Sequence, residues 1–465
     1  MKASRGVLIV ALVLLAVAAL RDVARLGDAL PWRQLYDFAD FYCAGVALNA
    51  GASPYRYEPL HRCEHAVSTN PVFRADRLRV VPAPLPPYDF PPFMLAARLS
   101  FTKARALDAA AIVVAVLLAM WGLALVAAPF DVAALALVLP AGYVLLNAGQ
   151  VVPFALLALI FCGVALARGR PSLAGILAAL TAIEPHLGLP VCIALLVCVP
   201  RARLGLLAAA VALASLGALL VGMGGFAEFA TRVLPAQAAS EAGYAYQYSL
   251  TYLLSTLGVP SVPAIFLGEL SYAVMLVVSI VLGRRMAQRL GRPELLAYLP
   301  AACSIVAGPY VHMVDLAFAI PAALVLTASL RGTARTLAIV ALSLLTVPWI
   351  PVWITKKLFL ATLFVVGALL VRLRAPTATG IVVFLAIAAA IYLLELAPPA
   401  SLLATTIGTF SDSDLAQRAW SAYVEQLGRG SVTWLLVKLP TWVGLASMIA
   451  ACWVALRAPL QPARA

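Results

Sequence analysis

Charged side chains are scarce in this sequence: they make up 11% of its 465 residues, against about a quarter in an ordinary soluble domain. Hydrophobic residues reach 64%, and the mean hydropathy is +0.99. This excess argues against a soluble globular protein and predicts an all-α polytopic membrane protein. The net charge of +13 does not indicate a nucleic-acid partner, because the basic residues stand mostly in short turns between apolar runs, where they encode orientation in the membrane.

The cysteines lack the spacing of a metal site, and the sequence has only four histidines. Five of the seven cysteines lie inside apolar runs, where a thiol behaves as a small hydrophobic group: Cys162, Cys192, Cys198, Cys303 and Cys452. The other two, Cys43 and Cys63, lie in the first long polar loop. A disulfide between them is possible if that loop is outside the cytoplasm. We expect no metal and no cofactor.

Long apolar runs are the main signal along the chain. The first covers residues 1–20 and is interpreted as a retained transmembrane helix with a cytoplasmic N-terminus. Because the runs at 172–183 and 187–199 are short and are separated by Pro185, the predicted number of spans is twelve to fourteen. Apart from the first, we place the runs near 106–128, 132–147, 152–167, 172–183, 187–199, 204–222, 262–282, 295–308, 313–329, 336–350, 358–371, 378–395 and 433–455.

Two polar segments interrupt this series of runs, a long loop over 21–105 and a second loop over 396–432. A multi-span core over 106–395 lies between them, and 433–465 holds the last transmembrane helix and a cytoplasmic tail. Counting from a cytoplasmic N-terminus places the arginine-tipped turns inside and both loops outside, in agreement with the placement of basic residues. Within the first loop, the proline-rich segment 86–93 is predicted to be a rigid, non-helical hinge.

Two carboxylates three residues apart, Asp37 and Asp40, follow the first span. The spacing puts both on one face of a predicted short helix, among aromatic residues at the edge of a bilayer. A carboxylate held at such a boundary carries a cost, which favours a functional role. The alternative is that both residues cap and solvate a surface helix. A catalytic base needs a carboxylate within hydrogen-bond reach of the proton that it removes, so both are catalytic candidates.

Further polar residues gather at the predicted outer ends of the spans, which suits a substrate that is partly lipid and partly polar. His186 and His312 are candidates for contact with a phosphate or a sugar; the alternative is a hydrogen bond to a neighbouring carbonyl. Lys356 and Lys357 are candidates to neutralise a leaving phosphodiester, or else extend toward anionic headgroups. The remaining candidates for substrate binding are Tyr42, Gln150, Gln247 and Asp315.

The motifs that carry these residues resemble a known family. The segment 37–55, Asp-Phe-x-x-Phe-Tyr-x-Ala-Gly-x-Ala-Leu-x-x-Gly-x-x-Pro-Tyr, resembles the first-loop signature of glycosyltransferase family 87. These are bacterial polyprenol-phosphate-mannose-dependent α-mannosyltransferases and related proteins of the GT-C class. Five shorter segments resemble further elements of the family in the same order: 88–93, 149–154, 168–175, 246–250 and 308–316.

The resemblance implies a GT-C fold and a catalytic aspartate in the first outer loop, which is Asp37, with Asp40 as the fallback. It implies an inverting, metal-independent transfer of a hexose, with mannose as the first candidate, from a polyprenyl-phosphate donor. The acceptor would be a lipid-linked or cell-envelope glycan, and the site would face the periplasm or cell exterior from a bacterial inner membrane, in contact with membrane lipids.

One departure from the family concerns the donor. Many relatives have Lys-Pro where this chain has Glu184-Pro185-His186. If that lysine contacts a phosphate, the contact must pass here to His186, Lys356 or Lys357, or the donor differs. A transporter or flippase of a polyprenyl-linked lipid is the alternative from another functional class, and a catalytically inactive member is the third.

Overall fold

The computed structural model describes residues 2–27, 30–67, 79–396, 415–427 and 432–459. Its regular structure is helical, and the extended pairings within those ranges are two isolated antiparallel bridges, Arg56 with Leu415 and Gln247 with His312. The prediction of an all-α chain is therefore confirmed.

The helices of the first half are α1 Lys2–Ala24, α2 Pro31–Gln34, α3 Phe38–Asn49, α4 Tyr57–Val67, α5 Pro91–Ala96, α6 Phe101–Val126, α7 Phe130–Pro140, α8 Val152–Ala167, α9 Pro171–Leu180 and α10 Pro185–Cys198. Those of the second half are α11 Arg203–Glu228, α12 Leu234–Glu241, α13 Leu250–Thr256, α14 Ser261–Leu290, α15 Leu295–Ser304, α16 Ile320–Ser329, α17 Gly332–Leu345, α18 Trp349–Thr355, α19 Phe359–Arg372, α20 Thr377–Leu396, α21 Ala416–Leu427 and α22 Val432–Arg457. Single π-helical turns follow α7 and α11, and 3₁₀ turns occupy Pro87–Asp89, Thr181–Ile183, Pro200–Ala202 and Met313–Ala319.

Each predicted apolar run coincides with one of these helices or with a pair of them. The agreement is closest for α8, which covers the predicted range 152–167. Proline and glycine set many of the boundaries: α8, α9 and α10 each carry proline in their first two positions, where its missing N–H is no loss.

Five helical segments of the described chain are long and apolar enough to cross a membrane: Phe101–Val126, Pro200–Glu241, Ser261–Leu290, Thr377–Leu394 and Thr433–Arg457. A sixth crossing results if α17 and α18, which are bent by 41° to each other, form one span. The chain is thus a multi-pass membrane protein, with fewer full-length spans than the predicted twelve to fourteen. The other apolar helices tested have 10–17 residues, because turns and prolines interrupt the apolar runs, and a straight crossing needs about 20.

Long and short helices differ in burial. The long apolar helices bury only 17–39% of their most apolar window, as expected for surfaces that face lipid. In contrast, α15 and α16 are buried over nearly their whole length. The core contains pairs such as α17 with α22, α14 with α15, and α1 with α19. The short helices α15 and α16 therefore lie in the interior, and long helices such as α14 and α22 pack on it with one face while most of their surface stays exposed.

The first loop is mostly helical. A disulfide between Cys43 and Cys63 joins α3 to α4. The segment 86–93 forms a 3₁₀ turn and the start of α5, so the predicted non-helical hinge is only partly correct, since prolines are tolerated in a first helical turn. Gly45 lets α3 lie directly on α5, because a Cβ at this position would come within 2.3 Å of the Phe93 carbonyl oxygen.

The second predicted loop, 396–432, is described only in part, and its residues 397–414 and 428–431 lie outside the described ranges. Its described part is α21, which packs against α12 and α4. The Ala416 N–H donates to the Tyr55 carbonyl over 2.9 Å, which holds α21 to the first loop.

Candidate functional site

A cavity of about 890 Å³ lies between the first loop, α12, α21 and the ends of the inner helices. Five of the side chains predicted from the sequence line it: Asp37, Asp40, Gln150, His186 and His312. They come from four separate segments, around residues 37–40, 150, 186 and 312. The fold therefore gathers motifs that the sequence shows only separately.

Asp37 is positioned by the turn that precedes α8. The Asp37 N–H donates to the Ala148 carbonyl over 2.8 Å, and the Gln150 Nε2 donates to the Asp37 carboxylate. Gly149 has a φ of +70°, and a Cβ there would approach the Leu35 Cβ to 3.0 Å. Only glycine fits such a turn without strain. The Asn-Ala-Gly-Gln turn thus fixes Asp37 against the cavity.

The pKa of the Asp37 carboxyl is shifted toward neutral pH. Burial raises its pKa to about 6, and the Gln150 hydrogen bond and the positive charge of Arg79 oppose that rise. At pH 7 the group is therefore mainly ionised and still basic enough to accept a proton. Such a pKa suits a general base that works near neutral pH.

Asp40 has a different state from Asp37. Its side chain is 1% exposed, and neither carboxyl oxygen has a hydrogen-bond partner in the described chain. Burial, followed by the charges of Glu64 and Asp37, raises the pKa of Asp40 well above its ordinary value. Burial also raises the pKa of Glu64 to about 8, although the Val81 N–H donates to it over 3.0 Å. The raised pKa favours the protonated form of Asp40 and of Glu64, whereas the pKa of Asp37 is about 6, which favours Asp37 over Asp40 as the base.

Arg79 and α21 cover this part of the cavity. The Arg79 guanidinium donates to the Tyr423 hydroxyl over 2.8 Å and lies 4.2 Å from the centre of that ring. It lies 5.4 Å from the Trp420 ring, whose Nε1 donates to the Glu241 carboxylate over 2.5 Å. These contacts hold the only described helix of the second loop over the site.

A second part of the cavity holds a cluster of one histidine and two carboxylates. The His186 Nε2 lies 3.0 Å from an oxygen of Asp315, and its Nδ1 lies 3.8 Å from an oxygen of Glu184. Asp315 is 1% exposed and also accepts the His312 N–H over 2.7 Å. One potential ligand atom from each of Glu184, His186 and Asp315 lies within 4.8 Å of the others. Asp315 thus lies beneath the cavity surface and contacts His186 and His312 there.

His312 lines the cavity as a neutral imidazole. Burial lowers its pKa to about 4, and its Nδ1 has no hydrogen-bond partner in the described residues. Its backbone is paired with Gln247, which is buried, donates to Glu241 over 3.0 Å and accepts the Val311 N–H over 2.9 Å. Gln247 therefore positions His312 and does not itself line the cavity.

Carboxylates from both parts of the site influence the same hydroxyl, that of Tyr310. The partly buried phenol of Tyr310 lines the cavity, and its pKa is raised first by burial and then by carboxylate charge from both parts. The carboxylates whose charge reaches this hydroxyl are Glu241, Asp315, Glu184 and Asp37.

Tyr42 and the two lysines lie away from the cavity lining. The Tyr42 hydroxyl donates to the Leu99 carbonyl over 2.8 Å, so the ring serves packing in the first loop. The Lys357 Nζ donates to the Arg25 carbonyl over 3.1 Å, and Lys356 caps the end of α18 with a φ of +54°. The two residues before Lys356 do line the cavity.

Sequence reasoning missed several groups of the site. Lys438 is fully buried beside the site: its Nζ donates to the Gln247 carbonyl over 2.5 Å and lies 3.2 Å from the centre of the Tyr252 ring. A lone lysine in the last apolar run is the signal that could have identified it, since ionisable groups in spans are costly. The other missed residues are Glu64, Arg79, Glu241, Tyr310 and Trp420.

No family model matches the chain, and neither a curated protein nor a solved structure matches it. The function is therefore argued from the cavity and its residues.

Proposed function

We propose that this chain is an integral-membrane, inverting glycosyltransferase with a GT-C fold. It would move a hexose from a polyprenyl-phosphate donor to a lipid-linked or cell-envelope acceptor on the extracytoplasmic side of a bacterial inner membrane. The observation that carries the proposal is Asp37, a carboxylate with a pKa of about 6, held by Gln150 at the wall of a cavity in a membrane protein.

In the proposed reaction, Asp37 accepts the proton of an acceptor hydroxyl while the hydroxyl oxygen attacks the anomeric carbon of the donor sugar. The bond between that carbon and the phosphate oxygen breaks, and the polyprenyl phosphate leaves with the electron pair. Attack from the face opposite the leaving group inverts the anomeric centre. Because one base suffices for this single displacement, neither Asp40 nor Glu64 is required as a second catalytic carboxylate.

The size and lining of the cavity agree with such a substrate. A volume of about 890 Å³ lies at the upper end of ordinary ligand sites, which suits a sugar together with part of an acceptor. His186 and His312 also line the cavity, and we place the donor phosphate beside them. The Cys43–Cys63 disulfide supports an extracytoplasmic first loop, because disulfides persist in oxidising compartments.

The test is a transfer assay on purified protein in lipid. Wild type and Asp37→Asn receive radiolabelled polyprenyl-phosphate-mannose and a membrane-lipid extract, and Asp22→Asn serves as the matched control because Asp22 pairs with Arg21 outside the cavity. We expect wild type and the control to move label into a new lipid and Asp37→Asn to move none. Equal transfer by all three would reject Asp37 as the base. Donor binding without transfer by any variant would favour the transporter alternative.

A further inference from the structure

We propose that Glu184, His186 and Asp315 bind one divalent cation of the Zn²⁺ or Mn²⁺ type at the cavity wall, and that this cation holds the donor phosphate. The cation site stands on its own geometry. Its role toward a phosphate rests on the proposed function. The inference replaces the expectation of metal-independent catalysis.

The distances fit adjacent ligands of one ion. The three ligand atoms lie within 4.8 Å of one another, and the His186 Nε2 and the Asp315 oxygen are 3.0 Å apart. Two metal–ligand bonds of about 2.1 Å at a right angle span about 3.0 Å, so a cation would bridge this pair without moving either group far. Glu184 is partly exposed to the cavity, which leaves its side chain room to rotate toward the ion.

The charge of the cluster favours a cation. The ion pairs that the structure shows for Glu184 and for Asp315 both go to His186. One imidazolium carries a single positive charge, so it balances one ionised carboxylate and supplies no second charge for the other. Buried charges are costly unless they are paired or coordinate a metal, and a divalent ion balances both carboxylates while His186 stays neutral.

The ligand types narrow the metal. An imidazole nitrogen with two carboxylates suits first-row ions such as Zn²⁺ and Mn²⁺ better than Ca²⁺ or Mg²⁺, which prefer oxygen ligands throughout. Three protein ligands leave at least one position open. Because Glu184 and His186 line the cavity, that open position faces the volume that Asp37 also lines. An anionic phosphate oxygen entering the cavity can therefore complete the coordination, and the ion would stabilise the charge on a leaving phosphate.

Two further hydrogen bonds hold the ligands in place. The His312 N–H donates to the Asp315 carboxylate over 2.7 Å. The Tyr272 hydroxyl donates to the His186 carbonyl over 2.5 Å, which fixes the first turn of α10. Such supporting contacts around a ligand set orient it for a metal.

The experiment is a Mn²⁺ titration of full-length protein in lipid nanodiscs after removal of metal with EDTA, with free Mn²⁺ measured by electron paramagnetic resonance. We expect wild type to bind one equivalent and Glu184→Gln and Asp315→Asn to bind at least about tenfold more weakly. Glu58→Gln and Asp131→Asn make the same changes at carboxylates paired with arginine away from the cavity, and we expect wild-type binding from both.

Absence of stoichiometric binding by wild type, or wild-type binding by Glu184→Gln, would overturn the site and leave a histidine–carboxylate ion pair. If Asp315→Asn does not fold, the partly exposed Glu184 carries the test alone. The same samples separate the two proposals when transfer is measured with and without Mn²⁺. Undiminished transfer after EDTA would reject the cation role and keep the glycosyltransferase. Mn²⁺ binding without transfer from any polyprenyl-phosphate sugar would keep the ion and reject the phosphate role together with the proposed function.

Discussion

The two sides of the cavity hold charge in different ways. On the loop side, which is the part of the cavity formed by the first loop, the single positive charge of Arg79 acts on the carboxyl groups of Asp37, Asp40 and Glu64. The pKa of Asp37 is about 6 and that of Glu64 is about 8. On the helix-end side, which is the part of the cavity with His186, the carboxylates of Glu184 and Asp315 pair with the His186 imidazole. Environments that separate the pKa values of neighbouring acids are typical of acid–base chemistry, whereas a histidine–carboxylate cluster is typical of ion binding. The proposed function would accordingly use the loop side for proton transfer and the helix-end side for the phosphate.

The largest effect is expected from removal of the base on the loop side, Asp37. Asp37→Asn keeps the shape of the side chain and removes the base, so we expect kcat to fall by about 10²- to 10⁴-fold with little change in KM. Steady-state transfer kinetics with the labelled donor measure both constants. An equal loss of kcat in Asp40→Asn, with Asp37→Asn active, would exchange the roles of the two aspartates.

The second prediction concerns the stability of the loop side. The pKa of Glu64 is raised from 4.5 to about 8 in the folded protein, so ionisation of the unfolded chain removes stability as pH rises across this interval. Glu64→Gln avoids this loss. We expect it to be more stable than wild type at pH 8 by about 2–4 kcal/mol and equal to it near pH 4.5. Thermal unfolding at both pH values measures the difference, and an equal gain at both would show that charge is not its cause.

The third prediction breaks the helix-end side. His312→Gln removes an imidazole that faces the cavity. Under the proposed function this imidazole donates a hydrogen bond to the donor phosphate, and the loss of a hydrogen bond to a charged group costs about 1.5–3 kcal/mol. We therefore expect KM for the donor to rise about tenfold or more, with a smaller change in kcat. Donor-dependent kinetics decide this, and a loss confined to kcat would place His312 in the chemical step.

The fourth prediction sharpens the role of Asp37 through pH. We expect kcat/KM to rise with pH through about 6 and then to level off as Asp37 ionises. The Gln150 hydrogen bond favours the ionised form, so Gln150→Ala should move this midpoint upward by up to about one pH unit. A midpoint that moves downward or stays fixed in pH–rate profiles of the variant would contradict the assignment.

The smallest effect is expected at Lys357. Its Nζ contacts the Arg25 carbonyl away from the cavity lining, and exposed single charges contribute little. Lys357→Gln should therefore leave KM and kcat within about threefold of wild type. A larger loss in the same assay would return Lys357 to the phosphate site that the sequence suggested.

Local signals explain what the sequence predicts well. Apolar runs bounded by proline, glycine and arginine place helices such as α8 and α10, because these residues act on the backbone within a turn or two. The same locality places Asp37 directly before α3 and Asp40 in its first turn. The number of full crossings was less predictable, because burial inside the bundle allows short helices such as α15, which a hydropathy count treats as spans.

Contacts between distant segments explain most of what the sequence missed. Glu64 meets the neighbourhood of Asp40 through the disulfide-linked α4, and Arg79 reaches Tyr423 across 344 residues. No local pattern encodes such a pairing. Gln247 was predicted to bind substrate, yet its buried side chain accepts the Val311 N–H and donates to the Glu241 carboxylate beneath the cavity. A polar residue was correctly predicted near the site, but only the fold shows whether such a residue lines the cavity or supports the residues that do.

The short interior helices have a consequence for how a lipid would be handled. At 1.5 Å per residue, the 10 residues of α15 and the 10 residues of α16 each extend about 15 Å, against a hydrocarbon thickness of about 30 Å. A helix of this length cannot cross the hydrocarbon layer alone, so polar residues at its ends can lie within the depth of that layer. Under the proposed function, a lipid phosphate would then meet the protein with its chain still among its neighbours, so extraction from the bilayer would be unnecessary. We therefore expect selection by headgroup and tolerance of different chain lengths.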